Sequence, residues 1–140
     1  MEGSMEILNR YAQYSILLVD DDEEICDLIR AYIGRMDSIK NMIVVHDGQS
    51  AVTKLRNQKF DLILLDMVMP RKTGYDLLTE FEADKLNINS VDKVLAMSGS
   101  MDKDIFTIAT HHGVRNFLIK PFDEDIFLQK ISKILPVKAS

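Results

Sequence analysis

Two short, fully apolar segments of this chain each end in aspartate. Residues 16–19 lead directly into three aspartates at positions 20–22, and residues 62–65 lead into Asp66. Uninterrupted apolar runs of this length predict strands that are buried on both faces of a parallel sheet. If the two strands are neighbours, their carboxylates crowd one edge of the sheet, where like charges disfavour one another. Such a cluster favours a bound cation, and carboxylate oxygens are the ligands that Mg²⁺ and Ca²⁺ prefer.

The composition narrows the class of protein. The 140 residues fit one domain, and a hydrophobic share of 46% is enough for a buried core. A net charge of −5 without a basic cluster argues against direct binding of nucleic acid. Cys26 is the single cysteine, so an internal disulfide is excluded and a reducing compartment is favoured. Because the sequence has neither a long apolar span nor a secretory signal, we expect a cytoplasmic protein without membrane contact.

Strand-like and helix-like segments alternate along most of the chain. The predicted strands are residues 16–19, 42–45, 60–65, 94–97 and 117–119, and an amphipathic helical pattern follows each one. Five βα units predict an α/β fold, a flavodoxin-like doubly wound five-stranded parallel sheet in strand order 2-1-3-4-5, with helices on both faces. The spacing in the last helix predicts an inward-facing stripe of Ile126, Phe127, Ile131 and Ile134.

The same pattern divides the chain into regions. Residues 15–137 form one predicted domain, and residues 138–140 form a tail. Residues 1–14 are predicted to be an N-terminal extension or a tag remnant, for which a short helix and a frayed tail are equal alternatives.

Polar residues follow four of the five predicted strands. Aspartates follow strands one and three, Ser98 follows strand four, and Lys120 follows strand five. Each has an ordinary explanation: Asp22 is the best helix N-cap candidate, serine is common in turns, and a strand-end lysine is usually solvated. Asp66 fits no cap, because the next helix starts only near Gly74. Ligands bind at the carboxyl edge of a doubly wound sheet, so the joint placement predicts a functional site there.

Four segments of the chain resemble the receiver domain of two-component response regulators, the CheY-like family. They read ILLVDDD at residues 16–22, ILLDMVMPRKTG at 63–74, MSG at 97–99 and FLIKPF at 117–122. Because they occur in order and at suitable separations, the resemblance is specific and covers roughly residues 15–136.

The resemblance implies a phosphoacceptor with a magnesium site. Asp66 would accept the phosphoryl group, and Asp20 with Asp21 would form the acidic pair. Asp21 and Asp66 would bind Mg²⁺ directly, together with the backbone carbonyl of Val68, whereas Asp20 would act mainly through water. The Val68 side chain cannot orient a hydrolytic water, so we expect slow self-dephosphorylation.

The resemblance also implies a switch and partners. The Ser98 hydroxyl would contact the phosphoryl group, Lys120 would pair with it by charge, and Phe117 would turn inward on activation. The donor would be a histidine kinase or a histidine phosphotransfer protein. The chain would act on a downstream protein target, as a monomer or a phosphorylation-dependent dimer, and would modify itself instead of turning over a substrate.

Two other functions deserve comparison. An aspartyl-nucleophile phosphohydrolase on a similar sheet would resemble a pattern with a second aspartate two residues after the nucleophile, where this chain has Val68. A flavodoxin-like cofactor module would require a glycine- and hydroxyl-rich phosphate loop after strand one, where three aspartates would repel a phosphate. The three histidines, His46, His111 and His112, are not spaced as a metal site.

Overall fold

The fold alternates strands and helices along the chain. A computed structural model describes residues 13–69, 73–99 and 103–136. The strands are β1 (Tyr14–Val19), β2 (Ile39–Val45), β3 (Leu62–Asp66), β4 (Val94–Ser98) and β5 (Asn116–Ile119). The helices are α1 (Glu23–Ile33), α2 (Gly48–Asn57), α3 (Gly74–Ala83), α4 (Lys103–His111) and α5 (Glu124–Ile131), and a 3₁₀ turn (Val91–Lys93) precedes β4.

The five strands form one parallel sheet in the order β2-β1-β3-β4-β5. This order confirms the flavodoxin-like, doubly wound prediction. In the register, Val19 of β1 pairs with Leu65 of β3, so the residues that follow them lie side by side at the carboxyl edge. The strand order reverses between these two strands, which is where such sheets bind ligands.

Two apolar layers enclose the sheet because successive strand residues point to opposite faces. One face, with Leu17, Val19 and Ile63 among its residues, packs against α2, α3 and α4. The other face, with Ile16 and Leu18 among its residues, packs against α1 and α5. The central strands β1, β3 and β4 are therefore buried on both sides, which explains their uninterrupted apolar runs.

Side-chain caps begin the helices that follow β1 and β3, and the first of them confirms the prediction for Asp22. Asp22 caps α1, and its side chain accepts hydrogen bonds from the amides of Glu24 and Ile25. Thr73 caps α3 through a reciprocal capping box with Asp76. Asp66 is the last residue of β3, so its carboxylate has no capping role.

Three strand starts differ from the prediction by two or three residues. β1 begins at Tyr14 and β2 at Ile39. The prediction started both strands too late, because the half-exposed edge strand β2 has polar residues near its start and therefore lacks a continuous apolar run there. β3 begins at Leu62 and not at residue 60, where the amide of Phe60 donates to the Asn89 side chain.

One core assignment was wrong. Ile126 has an exposed fraction of 44%, whereas Phe127 and Ile131 are fully buried in the layer between α5 and the sheet. Adjacent helical positions are about 100° apart, so Ile126 and Phe127 cannot both face the sheet squarely.

The predicted N-terminal extension lies outside the described residues, except for its last two positions. Among the helices of the described ranges, none is both long and apolar enough to span a bilayer.

Candidate functional site

Three carboxylates converge at the carboxyl edge of the sheet. Asp20 and Asp21 follow β1, and Asp66 ends β3 beside them. One carboxylate oxygen from each residue lies within 4.8 Å of the others. Asp20 is fully buried, Asp66 is 4% exposed, and Asp21 is exposed. The cluster therefore has a buried floor and one carboxylate that faces solvent.

Lys120 reaches into this cluster from the end of β5. Its Nζ lies 2.7 Å from Oδ2 of Asp20 and 3.4 Å from Oδ2 of Asp66. Its backbone amide donates to the carbonyl of Ser98 at 2.8 Å, which ties the residue to the end of β4. The Lys120–Pro121 peptide bond is cis. A single ammonium group thus bridges two buried carboxylates that come from different strands.

Backbone amides hold the second oxygen of the Asp20 and Asp66 carboxylates. Oδ1 of Asp66 accepts a hydrogen bond from the amide of Val68 at 3.0 Å, and Oδ1 of Asp20 accepts one from the amide of Asp22 at 2.9 Å. The Val68 side chain is 59% exposed. Each buried carboxylate therefore has one oxygen held by the backbone and one directed toward the lysine.

Burial and neighbouring charges shift the pKa values of Asp66 and Lys120. Burial raises the pKa of Asp66 to about 6, and the charge of Asp20 adds to this, while the Val68 amide and Lys120 act in the opposite direction. Burial alone would lower the pKa of Lys120, but its hydrogen bond to Asp20 and the charges of both carboxylates raise it overall. Ionised Asp20, Asp21 and Asp66 carry three negative charges against the one positive charge of Lys120.

These features fit a divalent cation. Two uncompensated negative charges remain, the ligand atoms are carboxylate oxygens, and their mutual separation lets one ion contact all three residues. A hard cation of the magnesium type satisfies this donor set better than a soft transition metal, since neither a thiolate nor an imidazole belongs to the described cluster.

Ser98 and Phe117 lie on the two strands beside the cluster. Ser98 ends β4, the strand next to Asp66, and is only 1% exposed. Phe117 lies three residues before Lys120 on β5, and its ring packs against that of exposed Phe106 with a centroid separation of 4.7 Å. The structure thus places every predicted site residue on β3, β4 or β5 or within two residues after the end of β1, β3 or β5. The roles of these residues stay predictions.

The contribution of Gly74 to the site was not predicted from the sequence. A Cβ atom at this position would lie 2.5 Å from Cα of Met67 and 2.8 Å from the carbonyl oxygen of Asp66. Only glycine lets the first turn of α3 approach the backbone of the Asp66 segment this closely. From the sequence, Gly74 marked only the approximate start of the next helix, because a close approach between segments leaves no local signal.

His46 was also missed as a neighbour of the site. Its Nδ1 lies 3.0 Å from the backbone carbonyl oxygen of Asp20. Its position directly after β2, the strand beside β1, is the one available signal in the sequence.

A family model supports the resemblance. The model described as the response regulator receiver domain matches residues 16–132. The transcriptional regulatory protein MalR of Bacillus subtilis is 32% identical over 118 residues, which is 84% of this chain and 48% of that protein. The transcriptional regulatory protein CpxR of Escherichia coli K12 is 33% identical over 120 residues, 86% of this chain and 48% of that protein. This chain therefore spans about half the length of these curated relatives.

Solved structures share the fold. The chemotaxis protein CheY4 of Vibrio cholerae has a TM-score of 0.74 at 22% identity, with coverage of 89% of this chain and 100% of that one. The receiver domain of a sensor histidine kinase from Pseudomonas aeruginosa PAO1, which has a magnesium ion coordinated in its active site cleft, has a TM-score of 0.76 at 24% identity. That comparison covers 89% of this chain and 99% of the other.

Proposed function

Because this chain belongs to the family of response regulator receiver domains, we propose that Asp66 accepts a phosphoryl group from a phosphohistidine in a two-component phosphorelay. The donor is a histidine kinase or a histidine phosphotransfer protein, and the exchange takes place in the cytoplasm. The observation that carries the proposal is the convergence of Asp20, Asp21, Asp66 and Lys120 at the switch point of the sheet.

Asp21 and Asp66 are the proposed direct ligands of Mg²⁺, together with the carbonyl oxygen of Val68, and Asp20 acts mainly through water. When bound, the ion neutralises charge on the phosphoryl oxygens and lowers the repulsion between the carboxylate and an anionic donor. The two uncompensated negative charges of the cluster support this assignment, as does the magnesium ion of the Pseudomonas receiver domain.

The protein side chains position and neutralise the reacting groups. The ionised carboxylate of Asp66 attacks phosphorus, an oxygen–phosphorus bond forms, and the phosphorus–nitrogen bond of the donor breaks as the imidazole leaves. Lys120, whose Nζ already lies 3.4 Å from Oδ2 of Asp66, pairs with the negative phosphoryl oxygens. Burial of Asp20 and Asp66 excludes water, which strengthens these charge interactions.

The acyl phosphate then acts as a switch. The phosphoryl oxygens give the Ser98 hydroxyl a contact that exists only in the modified protein, and this differential contact shifts a two-state equilibrium. Phe117 turns inward when Asp66 is phosphorylated. The altered surface recruits a downstream protein target or supports a phosphorylation-dependent dimer.

A self-modifying receiver fits this chain better than a phosphohydrolase. In the hydrolase pattern, the residue two positions after the nucleophile acts as acid and base. Here that residue is Val68, whose side chain has no titratable group and is largely exposed.

Intact mass measurement tests the proposal directly. The protein is incubated with a small phosphoryl donor, with and without Mg²⁺, and Asp66→Asn serves as the matched control. We expect one added phosphoryl group per chain, formed only with Mg²⁺ and absent from the variant. An unmodified wild-type protein after exhaustive treatment would contradict the proposal, and continuous turnover of a generic phosphate ester would favour the hydrolase.

A further inference from the structure

We propose that His46 is a positioning residue for the metal-binding turn. Its imidazole holds the carbonyl of Asp20 and thereby sets the direction in which the next residue, Asp21, presents its carboxylate. This inference rests on the proposed function, since it assigns to His46 a role in the magnesium affinity of the same site.

The backbone pairing between β1 and β2 ends beside His46. The amide of Asp20 donates to the carbonyl of Val45 at 3.1 Å. In a regular parallel ladder, the next hydrogen bond would run from the amide of Asp47 to the carbonyl of Asp20. Asp47 instead turns away as the N-cap of α2, with its side chain bonded to the amide of Ser50. The Asp20 carbonyl therefore loses its regular partner at the position where the site begins.

The His46 side chain supplies the replacement donor. Its Nδ1 lies 3.0 Å from the Asp20 carbonyl oxygen, and the thiol of Cys26 approaches the same oxygen at 3.5 Å. A carbonyl oxygen can only accept, so the hydrogen bond requires the proton on Nδ1. A thiol is a weak donor, which leaves the imidazole as the stronger of the two partners. A buried carbonyl without a partner costs free energy, so this contact favours one orientation of the peptide.

The orientation of this peptide matters for the site. The Asp20 side chain is already fixed, because Oδ1 accepts from the amide of Asp22 and Oδ2 pairs with Lys120. Asp21 is exposed, yet one of its carboxylate oxygens lies within 4.8 Å of ligand atoms of both Asp20 and Asp66. The peptide between Asp20 and Asp21 is the link through which the backbone directs that exposed carboxylate. Groups that orient metal ligands commonly change metal affinity by about 10-fold or more when they are removed.

Three substitutions separate the hydrogen bond from the bulk of the side chain. His46→Leu removes the donor, whereas His46→Asn keeps an N–H group near the position of Nδ1. His111→Leu makes the same change at an exposed histidine at the end of α4, and serves as the matched control. Each protein is titrated with MgCl₂ while the amide NMR signals of Asp21 and Asp66 are followed.

We expect His46→Leu to bind Mg²⁺ about 10-fold more weakly, while His46→Asn and His111→Leu bind nearly as the wild type does. In the metal-free samples, the amide nitrogen shift of Asp21 reports hydrogen bonding at the preceding carbonyl. It should move in His46→Leu and stay near the wild-type value in His46→Asn. Urea unfolding checks that each variant is folded.

Two results would overturn the role of His46. One is a folded His46→Leu protein with wild-type magnesium affinity, and the other is a His46→Asn protein that binds as weakly as His46→Leu. A wild-type protein that neither binds Mg²⁺ nor accepts a phosphoryl group would instead refute the proposed function. In that case, the Asp21 nitrogen shifts of the metal-free samples still decide whether His46 holds the peptide.

Discussion

Replacing Asp66 with asparagine should stabilise the metal-free protein at neutral pH. Asparagine keeps an oxygen that can accept from the Val68 amide, as Oδ1 of Asp66 does at 3.0 Å, but it removes the buried charge. The change therefore isolates the energetic cost of ionising this carboxylate beside Asp20. A residue that is proposed to carry the chemistry is expected to weaken the fold that holds it.

The pKa gives the size and the sign of this effect. Burial, with the charge of Asp20, raises the pKa of Asp66 from 3.8 to about 6. At about 1.4 kcal/mol per pKa unit, ionising Asp66 lowers the free energy of unfolding by about 3 kcal/mol at most. Because the folded pKa lies above the unfolded value, the folded state binds more protons between about pH 4 and pH 6, and stability falls across that range. The cost is absent below about pH 4 and complete above about pH 6.

Urea unfolding monitored by circular dichroism measures the difference. At about pH 7.5, Asp66→Asn should be more stable than the wild type by about 1–3 kcal/mol, and near pH 4 the two should converge. Asp37→Asn removes the same charge from an exposed position and serves as the matched control. Saturating Mg²⁺, at about 100 times its Kd, should stabilise the wild type by about 2.7 kcal/mol and the variant far less. An Asp66→Asn protein that is no more stable than the wild type at neutral pH would refute the reasoning.

Three other substitutions test separate parts of the site. Lys120→Met should destabilise the metal-free protein by about 3 kcal/mol at neutral pH, because it leaves the fully buried Asp20 carboxylate without its cation; urea unfolding measures the loss, and an unchanged midpoint would contradict it. Gly74→Ala should cost about 1–3 kcal/mol by the same assay, because the new Cβ would lie 2.5 Å from Cα of Met67; a neutral effect would mean that α3 moves away freely. Val68→Asn should speed the loss of the phosphoryl group, because the asparagine side-chain amide can orient a hydrolytic water and the valine side chain cannot. Intact mass measured over time follows this loss, and equal decay rates would exclude Val68 as the cause of slow self-hydrolysis.

The sequence by itself determined the architecture and which polar residues lie at the carboxyl edge of the sheet. Strands buried on both faces require continuous apolar runs, so the segments before Asp20 and Asp66 could be recognised without coordinates. The carboxyl ends of parallel strands meet at one edge, and this rule was enough to predict that these acids, Ser98 and Lys120 lie at the same end of the sheet. The prediction was wrong at Ile126, because the inward-facing stripe assigned to the last helix included this residue, which is exposed to solvent.

Only the tertiary structure decided how these residues contact one another. Lys120 lies 100 positions after Asp20, and its salt bridge depends on how β5 is placed across the sheet. The raised pKa of Asp66 depends on burial and on a neighbour from another strand. The close approach of Gly74 and the hydrogen bond from His46 are likewise contacts between segments. Local sequence patterns record which face a residue prefers, whereas distances between side chains on different elements arise only when those elements pack together.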